Sequence, residues 1–329
     1  MLQQAPIDWL LDIENPSVKY FTLTELLDYP LDNYEVMEAK RAIMKLGVVP
    51  QILSKQHIQG YWTIPQSFYT SKYQGTSWQL LILAELGAER ADDRIKCACE
   101  FILKNSQDPE SNGFSMYASM RTGGGRHSAV IPCLTGNMVW SLIRLGYLHD
   151  ERVQAAVNWI TTYQRFDDTE TDPPAGWPYD EFEMCFGKHT CHMGAVKALK
   201  ALAEIPVERQ TPQMQATIRN GAEYLLKHHI FKRSHDLNRI SKPGWLLFGF
   251  PLMYQTDVLE VLGILTKLGY KDPRMQEAVD LVLSKMQPNG TWLLENTYNG
   301  RFHVNIERKG APSKWITLNA LKALKRWYL

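Results

Sequence analysis

The densest group of chemically capable side chains is Lys188-His189-Thr190-Cys191-His192, preceded by Cys185. Thiolates and neutral imidazoles are zinc donors, and Cys133 adds a further thiol. Zinc is a cofactor that this set could hold, with Cys133, Cys185, His189, Cys191 and His192 as its candidate ligands. Buried polar or packing roles are the alternative for these five. An ion with one open position would activate a substrate nucleophile, whereas a closed set of four ligands would be structural. Asp180 and Glu183 stand just upstream of Cys185. A carboxylate there could orient a ligating imidazole or act as acid or base. Asp257 is the third candidate catalytic carboxylate, at a position where an Asp can equally cap a helix.

A second group could bind anions. Arg121-Thr122-Gly123-Gly124-Gly125-Arg126 places two guanidinium groups around a permissive loop, able to wrap a diphosphate with charge-assisted contacts. It lacks the spacing of a phosphate-binding P-loop, and a mobile surface loop is its other reading. Asp167 to Asp172 is acidic but runs into Pro173-Pro174, which reads first as an exposed connection.

The elements that must position these groups are helical and repeated. TSWQLLILAELG, from Thr76 to Gly87, is an apolar helix ending in Leu-Gly, followed by a polar turn and RIKCACEFILKNSQ. TGNMVWSLIRLG to Gly146 and TDVLEVLGILTKLG to Gly269 repeat the pattern, each with its companion helix. A degenerate copy from His192, MGAVKALKALAEI, lies between them, so the period is about sixty residues. Each helix buries one face only, and stacked hairpins share a core. Gly87, Gly146 and Gly269 suit left-handed C-caps, while Asp150 and Asp272 stand at helix starts. The expected class is all-α, with residues 1–33 as an N-terminal helical extension and 34–329 as the repeat domain. WITLNALKALKRWY near the C-terminus supplies only the first helix of a unit, and the N-terminal stretches TLTELLDY and DNYEVMEAKRAIMKLG could pair with it and close a ring. An open solenoid is the alternative.

Composition removes several function classes. With 36 Lys and Arg against 35 Asp and Glu, the net charge of +1 provides no global field for nucleic acid or an acidic membrane. Five cysteines without paired spacing fit a reducing compartment better than an exported disulfide scaffold. The start, Met1 to Trp9, lacks the pattern of a secretory leader, which points to the cytoplasm. The least charged stretches, 128–143 and 243–256, are interrupted before the roughly 20 apolar residues that a bilayer span needs.

Gln287-Pro288-Asn289-Gly290-Thr291-Trp292 resembles the glutamine-tryptophan repeat that joins hairpins in squalene and related cyclases, with QDPESNGF from Gln107 to Phe114 a weaker relative. Over roughly Tyr34 to Tyr328 the chain resembles the alpha/alpha toroid shared by terpene cyclases and protein prenyltransferase beta subunits. The resemblance implies a ring of helical hairpins around a central chamber. It also implies that His189-Thr190-Cys191 corresponds to the prenyltransferase segment whose histidine binds zinc. Ile131 stands two residues before Cys133 where that pattern has Asp, and the D-x-D-D signature of class II cyclases is absent.

The expected function is action on a hydrophobic isoprenoid-like substrate, including an isoprenoid diphosphate, by prenyl transfer or cyclisation. Arg121 and Arg126 would hold the diphosphate. Trp140 and Tyr254 would line the chamber and stabilise a developing carbocation through their ring faces. In a cyclase version, a raised-pKa carboxylic acid starts the reaction. Two other classes fit the same ring. One is a noncatalytic lipid-binding or protein-interaction toroid, since prenyltransferase beta subunits need a protein partner. The other is a carbohydrate-active helical barrel built on Asp180, Glu183 or Asp257.

Overall fold

The computed structural model describes residues 6–329; the first five residues, part of the start read as leaderless, lie outside the described residues. The early helices are α1 (Ile7–Leu10), α2 (Pro16–Phe21, continued by a wide turn over Thr22–Leu26), α3 (Tyr34–Ile43) and α4 (Val48–Leu53). The repeated hairpins then follow: α5 (Thr76–Glu85) with α6 (Asp93–Asn105), and α7 (Pro132–Leu142) with α8 (Glu151–Tyr163). After the short α9 (Glu183–Phe186) come α10 (His192–Leu202) with α11 (Pro212–Lys227), and α12 (Val258–Lys267) with α13 (Gln276–Ser284). Helix α14 (Lys314–Tyr328) ends the chain. The strands are short: Lys232–Arg233 pairs antiparallel with Asp236–Ile240, and Trp292–Leu293 with Pro312–Ser313.

Helices α5, α7, α10, α12 and α14 pack successively side by side, each of the first four backed by its companion on the outside. Helix α14 then packs against α1, α2 and the turn over Thr22–Leu26. The Phe21 ring lies against Gly87 at the end of α5, and Lys40 Nζ donates to the Gly87 carbonyl at 2.7 Å. The staves therefore meet in a closed alpha/alpha toroid. Its inner wall includes Pro16–Leu26, so part of the expected N-terminal extension is itself a stave and shares the core through Leu10, Val18, Phe21 and Leu26.

Local chemistry explains the segmentation. Gly87, Gly146 and Gly269 have φ of 74°, 86° and 83°, a region that costs Gly little and lets each inner helix stop and turn. The outer helices α6 and α8 begin on an Asp that accepts the N–H two residues on and also pairs with that residue's guanidinium, Asp92 with Arg94 and Asp150 with Arg152; Asp272 and Arg274 repeat this before α13. Arg152 reaches on to Glu100 of α6, and Arg274 to Glu223 of α11, tying neighbouring outer helices together.

The connections use a second repeated device. Trp292 donates its indole N–H to the Val282 carbonyl at 2.7 Å and its main-chain N–H to Thr317 Oγ1 at 3.0 Å on the next inner helix. Phe114 does the same with Thr135, and Trp62 with Thr76, the Trp62 indole also donating to Ile52. Asp167 donates to Thr190 just before α10. Each Thr satisfies a main-chain donor that the bend would otherwise leave unpaired. No helix among the described residues is long and apolar enough to cross a membrane.

Candidate functional site

The ring axis holds a cavity of about 140 Å³. Inner helices supply its walls at helical spacing: Lys200 and Glu204 on or just beyond α10, Glu260, Ile264 and Lys267 on α12, and Asn319, Lys322 and Arg326 on α14. Instead of the aromatic, apolar interior expected from the sequence, a belt of ion pairs runs along it. Lys197 Nζ, fully buried, lies 2.8 and 2.7 Å from the two Glu260 oxygens. Lys200 bridges Glu260 at 3.1 Å and Glu85 at 2.6 Å. Toward the C-terminal ends of the staves, Lys267 meets Glu204, while Arg144 lies between Glu25 and Glu204 and Lys322 contacts Glu25. Burial opposes the charged form of Glu260, but Lys197 and Lys200 outweigh it and hold the carboxyl at about 2.

Asp257 closes the opposite end. It is 2% exposed and lines the cavity, and burial pushes its carboxyl up to about 7. Glu260 also raises it, while two main-chain donors act against the rise: Glu260 N–H at 2.8 Å to one oxygen and Gly249 N–H at 2.8 Å to the other. Asp257 thus caps α12, as one reading of the sequence held, and is also a carboxyl poised near neutrality at the chamber wall.

The segment 247–256 lies over this end. Gly249, Phe250 and Leu252 line the cavity, and the Met253 carbonyl accepts from Asn137 Nδ2 of α7 at 3.2 Å. Phe250 stacks flat on Trp315, with centroids 4.4 Å apart. Trp140 does line the chamber, with its indole N–H on Glu204 and Lys200 Nζ 4.0 Å from its ring centroid, so its face already carries a cation. Tyr254 is not a wall residue of the cavity: it meets Trp78 edge-on, with Lys72 over its ring.

The thiols and imidazoles divide. Cys185 and Cys191 meet through the main chain, the Cys191 N–H donating to the Cys185 carbonyl at 3.5 Å. The neighbouring Cys185 thiol, with the N–H groups of Gly194 and Met193, lowers the Cys191 thiol to about 6 against the opposing effect of burial, and Cys185 is raised in turn. Cys133 is buried nearby and pushed up to about 12 by desolvation. His189 is 69% exposed and turns to Asp168 at 3.3 Å. His192 lies flat on Trp245, and burial lowers it to about 3. Among the described residues, no group of three or more His, Cys, Asp or Glu is arranged to hold a metal ion. The expected zinc donors therefore do not converge on one point among the described residues.

The other candidates stand away from the chamber wall. Arg126 packs over Tyr117 on a tight loop, and Arg121 is exposed on the same loop. Asp180 accepts the Gly176 N–H at 2.7 Å within an exposed turn, and Glu183 is exposed at the start of α9. The ion-pair belt was absent from the sequence reading. Its signal was present: Lys197, Lys200 and Glu204 recur at i, i+3 and i+7 on an otherwise apolar inner helix, a stripe that must face the axis if the ring closes.

No family model matches the sequence. Lanosterol synthase erg7A of Aspergillus fumigatus is 24% identical over 246 residues, covering 64% of this chain and 28% of that protein. The chain thus spans less than a third of the relative's length. A protein from Actinoplanes superposes with a TM-score of 0.44 at 15% identity, covering 95% of this chain and 90% of that one. A variant of type II terpene cyclase MstE from Scytonema, in complex with geranylgeranyl dihydroxybenzoate, gives 0.43 at 13% identity over 99% of each chain. The likeness to lanosterol synthase is one of sequence over that stretch, and the alpha/alpha toroid rests on the ring's own geometry.

Proposed function

We propose that the chain is a toroidal enzyme that cyclises a hydrophobic isoprenoid-like substrate, with Asp257 as the proton donor. The observation that carries this is the Asp257 carboxyl, buried at the chamber wall and held near pH 7, where a protonated fraction coexists with its conjugate base. The acid would protonate a terminal alkene or epoxide, and loss of a proton from the final carbocation would restore the catalyst. Trp140, whose face holds an ammonium group, is the ring suited to stabilise that cation. The similarity to lanosterol synthase supports the substrate class.

A cavity of about 140 Å³ is smaller than the roughly 300–1,000 Å³ of sites for such ligands. Segment 247–256, which covers the Asp257 end, would have to withdraw for a polyprene to enter. The ion pairs filling the axis favour the second reading, a noncatalytic toroid. One assay separates the two. The purified chain is incubated with linear polyprenes bearing a terminal alkene or epoxide, and extracts are searched for cyclised isomers of unchanged mass. Product formation by the parent chain that disappears in Asp257→Asn supports the cyclase. Absence of both product and polyprene binding would sink it, and consumption of a prenyl diphosphate with an acceptor would replace it with prenyl transfer.

A further inference from the structure

We propose that the end of the chamber away from Asp257 is an anion site, where Arg144 and Arg326 take a phosphoryl group. The inference does not depend on the cyclase reading. At that end four cationic side chains, Arg144, Lys267, Lys322 and Arg326, line the cavity with two carboxylates, Glu25 and Glu204. The rest of the belt is balanced, Lys197 and Lys200 standing against Glu85 and Glu260. An excess of two positive charges therefore remains at a partly buried wall, where salt screens charge less than on an open surface. The two carboxylates are already engaged. Glu204 receives Lys267 at 2.7 Å and the Trp140 indole N–H at 3.1 Å, and Glu25 receives Lys322. Burial lowers the Lys267 ammonium and Arg144 acts in the same direction, while Glu204 opposes both.

The unmatched donors belong to the guanidinium groups. Among the described residues, Arg144 makes one hydrogen bond, at 3.5 Å to Glu25, and lies 3.8 Å from Glu204. Arg326 comes only to 3.9 Å from Glu25. Each keeps N–H donors without an acceptor at the cavity wall. The dipoles of the helix C-termini favour cations in the last turns of the staves, but among the described residues neither guanidinium reaches a helix carbonyl. A phosphoryl group supplies what is missing: oxygens that match the planar fork, and a charge of roughly −1.5 to −2 near pH 7. A monocarboxylate would offset only half of the excess. The cavity of about 140 Å³, small for a polyprene, has room for such a group. Arg326 keeps 28% of its side chain exposed, so this end is reached from solvent without moving segment 247–256. The group is either inorganic phosphate or the head of a phosphorylated amphiphile.

Calorimetric titration of the full chain with sodium phosphate, at pH 7 and constant ionic strength, is expected to show one saturable site. Arg326→Gln should weaken it by about tenfold or more, the usual loss of a charge-assisted hydrogen bond. Glu25→Gln should tighten it, because Arg144 and Lys322 then lose a competing carboxylate. Arg274→Gln, on the outside of the ring, should leave it unchanged. The same titration with n-decyl phosphate separates the sources: tighter binding than phosphate assigns the group to an amphiphile's head, equal affinity to a free anion, and either supports the site. No saturable heat with either compound, phosphate bound no more tightly than chloride, or affinities unchanged in both Arg326→Gln and Glu25→Gln would overturn the proposal.

Discussion

Asp257 and Glu260 share one turn of α12 but are driven in opposite directions, and the difference lies in their partners. Glu260 is paired directly with two lysines and is held near 2, whereas burial outweighs the two main-chain donors and the weaker influence of Lys197 on Asp257, which rises to about 7. Each makes stability depend on pH with its own sign. The native state binds the Asp257 proton more tightly than the unfolded chain, so its contribution is fullest below about pH 4 and is lost as pH rises through about 7. Glu260 stabilises above its ordinary value near 4.5, and that contribution is lost as pH falls toward 2. Denaturant midpoints measured from pH 4 to 8 should fall less steeply for Asp257→Asn than for the parent, and any cyclase rate should drop by about 10²–10⁴, the usual contribution of a general acid. Glu260→Ala strands Lys197 in the core and is expected to cost roughly 3–5 kcal/mol. Lys197→Met with Glu260→Leu should recover most of that in the same chemical denaturation, because both buried charges are then gone.

At the scale of elements, the toroid stands on small devices repeated at each bend. Thr317 accepts the Trp292 main-chain N–H in the core. Thr317→Val keeps the shape but removes the acceptor, so the loss should be roughly 1–3 kcal/mol. Arg274→Ala breaks a pair with Glu223 that is open to solvent and should change stability by no more than about 1 kcal/mol. Thermal or urea unfolding of the two variants checks the contrast. The helices and their Gly stops were legible because apolar periodicity and left-handed turns leave marks within a dozen residues. The Gln-to-Trp bend was legible for the same reason, whereas its relative from Gln56 to Trp62 is one residue longer and lacks the same spacing. The site was less legible. Which residues face the axis depends on contacts between helices distant in sequence, so density at 185–192 drew attention to thiols that do not converge on a metal. Asp257 could be named from sequence, but its desolvation is a property of the closed end formed by segment 247–256.

At the scale of the whole molecule, closure makes the last helix a neighbour of both the second and the twelfth. Trp315 embodies this: it stacks on Phe250 before α12 and lies 6.0 Å from the Phe21 ring at the end of α2. Lys314 pairs with Asp12, and Lys325 donates to the Leu26 carbonyl, so the seam between the chain ends is polar at its edge and aromatic within. In an open superhelix, damage to α14 would be felt only by the preceding repeat, because stability in such arrays passes between neighbours. In a closed ring it must spread both ways. Trp315→Ala should cost roughly 3–5 kcal/mol, as expected for a buried aromatic. Amide hydrogen exchange should then accelerate in both Pro16–Leu26 and Val258–Lys267, nearly three hundred residues from the substitution in one case and about fifty in the other. Faster exchange confined to Val258–Lys267 would mean that the ring does not close in solution, and the axial chamber would lose its wall on the side of Glu25.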